Sequence, residues 1–245
     1  MKCFSKTDIG LKRNENQDRV WTDMLEEDAV AVILCDGMGG ENAGSVASEM
    51  TVEFMSDRIR KGFRGNINRN FIRNLLITSV TAANSLVFDR ASKESDKYGM
   101  GTTCVAGIIY AGRAYIINVG DSRAYQILKR YDTIIQITRD HSLVEDLVEY
   151  GAITKEQAKH HPQRNVITRA LGSEADVEPD FYEINLAPGD MLILCSDGLS
   201  NIVSDEEMLD YAVDYPEPEI LCRALMSKAL NRGARDNVTV VVIKR

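Results

Sequence analysis

Residues 29–35, AVAVILC, are apolar without a break and lead into Asp36-Gly37-Met38-Gly39-Gly40. The run is too short to cross a bilayer and rich in Val and Ile, which predicts a strand buried on both faces. The glycines behind it are expected to stop the strand at Asp36 and turn the backbone tightly, leaving it open to a ligand. One carboxylate on a rigid strand end beside bare backbone suits a hard cation.

After this strand the rhythm changes to a helical one. Residues 42–63 carry Val46, Met50 and Phe54, and again Val52, Met55 and Ile59, at helical spacing; residues 66–90 do the same with Ile67, Phe71, Leu75, Leu76, Val80, Ala83 and Val87. Strand patterns then return at 104–110 and 113–120, joined by Ala111-Gly112, and at 122–128 and 133–138, so the sheets are expected to be mainly antiparallel hairpins. Residues 139–180 interrupt the strands. Ser142-x-x-Glu145 and Thr154-x-x-Gln157 read as capping boxes of two short helices, and Pro162 closes the second, which predicts an inserted helical flap. Strands at 181–186 and 191–195 flank a turn containing Pro188-Gly189-Asp190. A Ser204-x-x-Glu207 cap, a helix over 217–231 and a strand over 238–244 complete an α/β (α+β) pattern. Residues 11–19 are too polar for a core and read as a loop before the first strand. No repeat or low-complexity linker divides residues 1–245, so one domain is expected.

Composition narrows the function more than the fold. With 44% hydrophobic and 27% charged residues the chain is ordinary globular material. A net charge of −8 argues against wrapping nucleic acid or an anionic membrane, but leaves room for a phosphorylated substrate, which needs only local positive charge. The first residues lack the apolar core of a signal peptide, and no run reaches about 18 apolar residues, so a cytoplasmic location is expected. Cys3, Cys35, Cys104, Cys195 and Cys222 form no Cys-x-x-Cys pair and read as structural thiols; His141, His160 and His161 lie in a polar segment and read as exposed.

Candidate chemistry lies in the acids at strand ends. Asp36, Asp121 and Asp197 each follow an apolar strand, and Asp236 precedes one. Taken singly, such an aspartate is more often a turn residue or helix cap. If the last strand runs antiparallel to its neighbours, however, all four meet at one sheet edge, where Asp18 can join them. At about 4 Å and an effective dielectric near 20, each carboxylate pair repels by roughly 4 kcal/mol, so the cluster must take up protons or cations. All-oxygen ligands favour Mg²⁺ or Mn²⁺ over zinc.

Arg13-(x4)-Asp18, Asp36-Gly37-Met38-Gly39-Gly40, Met100-Gly101-Thr102-Thr103, Val119-Gly120-Asp121-Ser122-Arg123, Ser196-Asp197-Gly198-Leu199 and Arg235-Asp236-Asn237 resemble, in order and spacing, the motifs of the metal-dependent protein phosphatases of type 2C, especially compact bacterial members with a flap. The resemblance implies an α-β-β-α sandwich of two mainly antiparallel sheets. By it, Asp36 bridges two Mn²⁺ or Mg²⁺ ions, Gly37 offers its carbonyl to one, Asp197 and Asp236 hold the other, and Asp121 with Asp197 holds a third, weaker ion. Asp18 orients a metal-bound water and Arg13 clamps the substrate phosphate. The ions lower the pKa of a bridging water and neutralise the phosphoryl oxygens during in-line attack.

Three departures bear on the chemistry. Met38 stands where some relatives carry a general-acid His, Glu41 where many bacterial members carry a His, and Gln17 where many have Glu. Protonation of the leaving oxygen is left to a metal-bound water or Glu41. The expected activity is hydrolysis of phosphoserine and phosphothreonine on proteins, with a cognate Ser/Thr kinase and its targets as partners and a monomer as the working form. The rival readings are a phosphoprotein-binding pseudophosphatase, which the intact Asp36, Asp197 and Asp236 oppose, and a hydrolase of small phosphoesters.

Overall fold

The computed structural model describes residues 1–65 and 67–245, apart from the side chains of residues 40–42. In chain order the elements are β1 (Lys2–Asp8), β2 (Asp18–Glu26), β3 (Ala29–Met38), α1 (Gly40–Gly62), α2 (Arg69–Lys93), β4 (Gly101–Thr102), β5 (Cys104–Tyr110), β6 (Arg113–Val119), β7 (Arg123–Leu128) and β8 (Thr133–Gln136). There follow α3 (Leu143–Glu149), α4 (Lys155–Lys159), β9 (Asp180–Asn185), β10 (Met191–Cys195), α5 (Asp197–Ser200), α6 (Asp205–Asp214), α7 (Pro218–Asn231) and β11 (Val238–Lys244). One sheet has the order β1-β11-β10-β7-β8, the other β2-β3-β5-β6-β9 with β4 beside the end of β3, and the named strand pairs are antiparallel.

Side-chain alternation along β3 explains the layers. Ala29, Ala31, Ile33 and Cys35 face α1 and α2, meeting Met55, Ile59, Ile72, Leu76 and Val80, while Val30, Val32 and Leu34 face the other sheet, meeting Leu192, Leu194, Val241 and Ile243. An unbroken apolar run is what a strand covered on both faces requires. The second sheet turns Tyr125, Ile193, Val240 and Val242 to α6 and α7 through Met208, Leu221 and Leu225. The result is the expected α-β-β-α sandwich. By length and composition α2 could cross a membrane, yet its Ile72, Leu76, Val80 and Val87 are buried in the protein.

Caps form where short polar side chains precede the helices. Asn68 accepts from Phe71 N, Thr154 and Ser204 make reciprocal boxes with Gln157 and Glu207, and Ser142 accepts from Glu145 N without the return bond. The start of the second helix expected at Asn66 lies outside the described residues. Between β9 and β10 the chain passes from one sheet to the other, and Asp190 holds the corner. Its carboxylate accepts from Ala187 N at 3.0 Å, Lys129 N at 3.0 Å and Gln126 Nε2 at 3.3 Å.

Two local expectations are corrected. The strand does not stop at Asp36: Gly37 and Met38 continue β3 because β4 pairs with them, and the turn comes at Gly39, with φ of 113°. β1 was not apparent because KCFSKTD is a half-exposed edge strand with no clean alternation; pairing along β11 from Lys2↔Lys244 to Asp8↔Val238 makes it.

Candidate metal centre

The topology brings the acids to one end of the sandwich. Asp18 opens β2 directly opposite Asp36 near the end of β3. Asp121 lies just past β6, Asp197 just past β10, and Asp236 just before β11, which runs antiparallel to β10. Arg13, Asp36, Gly37, Asp121, Asp197 and Asp236 line one pocket of about 790 Å³. Asp18 lies beneath it, 1% exposed, its Oδ2 accepting from Ser196 Oγ at 2.8 Å and Thr239 Oγ1 at 2.6 Å.

Close backbone contact makes this gathering possible. A Cβ on Gly37 would lie 2.1 Å from Gly44 O and 2.8 Å from Gln17 O, so only glycine lets the end of β3 meet α1 and the polar loop; a Cβ on Gly198 would lie 1.9 Å from Asn237 O, which sets α5 against the approach to β11. The Gly101-Thr102-Thr103 stretch holds Asp36 by its backbone. Thr102 Oγ1 donates to Asp36 O at 2.9 Å, Thr103 N donates to the same oxygen at 2.8 Å, and Asp36 N donates to Thr103 Oγ1 at 3.0 Å. Asn237 anchors the polar loop, accepting from Gln17 N and donating to Ile9 O and Glu15 O, each at 2.9 Å. Sequence reading missed the supporting role of Ser196, Thr239 and Asn237: Ser196 and Asn237 stand inside the motifs beside Asp197 and Asp236, and Thr239 in an apolar strand, but nothing in their spacing shows that they hold Asp18 and the polar loop.

Electrostatics follow from burial. Asp18 and Asp197 are each pushed up to about 6 and Asp121 to about 7, in every case first by burial and then by neighbouring acids. Burial, then Asp18, Asp197, Asp121 and Asp236, drive Asp36 well above the usual carboxylate range. Among the described residues, Asp18 Oδ1 and Asp197 Oδ1 are buried with no hydrogen-bond partner. Buried carboxylates that repel one another and leave oxygens unsatisfied fit hard divalent cations.

Among the described residues no three acidic, Cys or His side chains already converge as a complete ion cage. Asp236 is engaged elsewhere: Arg13 donates to it through Nε at 2.8 Å and Nη2 at 2.7 Å. Arg13 therefore sits on the pocket wall with its fork on a carboxylate of the cluster. Met38, 36% exposed, lines the pocket and can donate no proton. Glu41 lies outside the described side chains.

His141 departs from the exposed position expected for it. It is 3% exposed, and its Nδ1 accepts from Gly120 N at 3.1 Å. That bond places the ring proton on Nε2, which faces Asp180 Oδ2 at 3.3 Å. Its backbone donates to Gly120 O at 3.0 Å and accepts from Thr168 N at 2.8 Å, so ring and backbone together tie the Gly120-Asp121 turn to the flap. A polar neighbourhood in sequence hid this, because the burying groups come from β6 and β9.

Residues 12–231 match the family model described as protein phosphatase 2C. The serine/threonine phosphatase stp of Listeria welshimeri is 38% identical over 245 residues, covering 100% of this chain and 96% of that protein. The S. agalactiae serine/threonine phosphatase superposes with a TM-score of 0.92 at 33% identity, covering 100% of this chain and 99% of that one. The catalytic domain of the serine threonine protein phosphatase PstP in complex with two manganese ions gives 0.85 at 35% identity, covering 98% and 96%. Full-length likeness of this kind, with a family model matching residues 12–231, leaves one conclusion: the chain belongs to the protein phosphatase 2C family.

Proposed function

We propose that the chain is a metal-dependent protein serine/threonine phosphatase that hydrolyses phosphoserine and phosphothreonine on proteins with two Mn²⁺ or Mg²⁺ ions. The observation that carries this is the convergence of Asp36, Asp121, Asp197 and Asp236 on one pocket, with unsatisfied buried carboxylate oxygen in it. Asp36 and the Gly37 carbonyl would hold one ion, Asp36, Asp197 and Asp236 the other, and Asp121 with Asp197 a third, weaker one. When bound, the ions supply an acidified water and offset charge on the phosphoryl oxygens.

The chain's own groups do the rest. Asp18, fixed by Ser196 and Thr239, is the second layer behind the ligands and orients water at the centre. Arg13 presents a planar fork to the substrate phosphate, which competes with Asp236 for it. Residues 1–245 act as one catalytic domain, with the flap at about 140–180 within it. A cognate Ser/Thr kinase and its targets as partners, a monomeric state and a cytoplasmic location belong to the same reading; the five cysteines, all free thiols, suit a reducing compartment.

Release of phosphate from a phosphothreonine peptide tests it. Activity is expected with Mn²⁺, and loss with chelator or in Asp36→Asn. Hydrolysis that survives chelation defeats the metal assignment; none under any condition favours a phosphoprotein-binding module.

A further inference from the structure

A second cavity, of about 940 Å³, opens directly from the acidic pocket: Asp121, Asp197 and Asn165 line both. One wall is the flap, with Lys155, Lys159 and Arg164; the other is the first turn of α6, with Asp205 and Glu206. Ile137, Val144, Val148, Ile202 and Val203 add apolar lining between the charged walls.

The charged walls are not closed on each other. Among the described residues, Lys155, Arg164, Asp205 and Glu206 form no ion pair and no ion pair crosses the cleft; Glu145 of α3, on the flap side, is likewise without an ion pair, whereas Arg123, Lys159 and Glu207 are spent locally. Arg123 binds Asp140 at 2.7 Å, Lys159 binds Glu156 at 3.0 Å on its own helix, and Glu207 is held by Lys228 and Arg232. Lys159 feels Glu206 and Asp205 from the far side, after its own partner Glu156, so the walls are within electrostatic reach. Ser204 and Glu207 close the capping box of α6; Glu206 also bonds Ser204 and its own backbone at that helix start, so its carboxylate faces the cleft already held in place.

We infer that this cleft binds the polypeptide on one side of the phosphorylated residue and selects for charge of both signs, a basic residue against Asp205 and Glu206 and an acidic one against Lys155 and Arg164. The inference rests on the phosphatase reading above and adds a substrate class to it. An extended segment would lay its apolar side chains on the lining while its charged ones meet opposite walls. Such contacts are solvent-exposed and each is weak, so selection comes from their sum and is screened by salt.

The test uses p-nitrophenyl phosphate, which reaches only the acidic pocket, beside phosphothreonine peptides with Arg, Glu or Ala placed in turn at the three positions on either side. With Mn²⁺, the wild-type chain is expected to prefer Arg at one flanking position and Glu at another on the same side. Asp205→Lys with Glu206→Lys should reverse the Arg preference, changing kcat/KM by about fivefold to tenfold, and leave the Glu preference in place. Lys155→Glu with Arg164→Glu should do the converse. Both variants should hydrolyse p-nitrophenyl phosphate at the wild-type rate, which shows that they fold. Normal turnover of that ester with peptide preferences absent, or unmoved by the charge reversals, overturns the cleft assignment alone. No turnover of it by the wild-type chain removes the catalytic reading and the cleft assignment with it.

Discussion

Stripping divalent ions should make the protein's stability fall as pH rises, opposite to the acid lability common in proteins. Asp121 is pushed from an ordinary 3.8 up to about 7, and Asp18 and Asp197 up to about 6, by burial among like charges. A carboxyl whose folded-state pKa is raised binds its proton more tightly folded than unfolded. Its contribution is complete below about pH 4 and is lost as pH climbs through 6 and 7. For Asp121 alone the whole change is about 4 kcal/mol, of which roughly 2.5 kcal/mol falls between pH 5 and 7.5. Asp18 adds roughly 1.4 kcal/mol over the same interval, although acids that share a repulsion do not add fully. At 2–4 °C per kcal/mol for a chain of this size, the melting temperature in excess chelator should drop by roughly 10 °C from pH 5 to 7.5. With Mn²⁺ present the drop should vanish or reverse, because the ion takes the place of the protons. Differential scanning calorimetry at both pH values, with chelator and with Mn²⁺, measures it. A chelated protein as stable at pH 7.5 as at pH 5, or one whose pH slope Mn²⁺ leaves unchanged, would refute the picture of repelling buried acids relieved by cations.

Gly37→Ala should cost about 3 kcal/mol or more in urea unfolding, since its Cβ would lie 2.1 Å from Gly44 O; a variant within about 1 kcal/mol of wild type contradicts that packing. Arg13→Lys keeps the charge but loses the fork, and should raise KM for a phosphopeptide about tenfold with kcat within a few-fold; unchanged KM takes Arg13 away from the phosphate. His141→Asn places an acceptor where Nδ1 stood and should stay within about 1 kcal/mol of wild type, whereas His141→Ala leaves Gly120 N–H unpaired and should lose about 1–3 kcal/mol. Amide exchange at Gly120 should rise in the Ala variant alone, and equal exchange in both would discount the bond.

Local signals were strongest where burial is complete. The apolar run of β3, the hairpins and the flap caps could be read from their neighbours in sequence, because each depends on side chains a few residues apart. Asp36, Asp121, Asp197 and Asp236 could be gathered once the antiparallel order was expected. Long-range partners decided what stayed hidden. β1 owes its existence to β11, the continuation of β3 past Asp36 owes its own to β4, and the burial of His141 depends on Gly120 and Asp180. Ser196 and Thr239 matter only because the fold places them beneath Asp18.

The bond from Thr239 to Asp18 spans 221 residues, and the one from Arg13 to Asp236 spans 223. During synthesis on the ribosome, then, the early strand carrying Asp18 must wait for nearly everything after it before its carboxylate is housed. A nascent chain can build the β3–α1–α2 side while Asp236 and Thr239 are still in the exit tunnel, but in such an intermediate the acidic pocket lacks one of its walls and Asp18 lacks its anchor. The acidic pocket is therefore complete only after the last strand emerges and threads between β1 and β10.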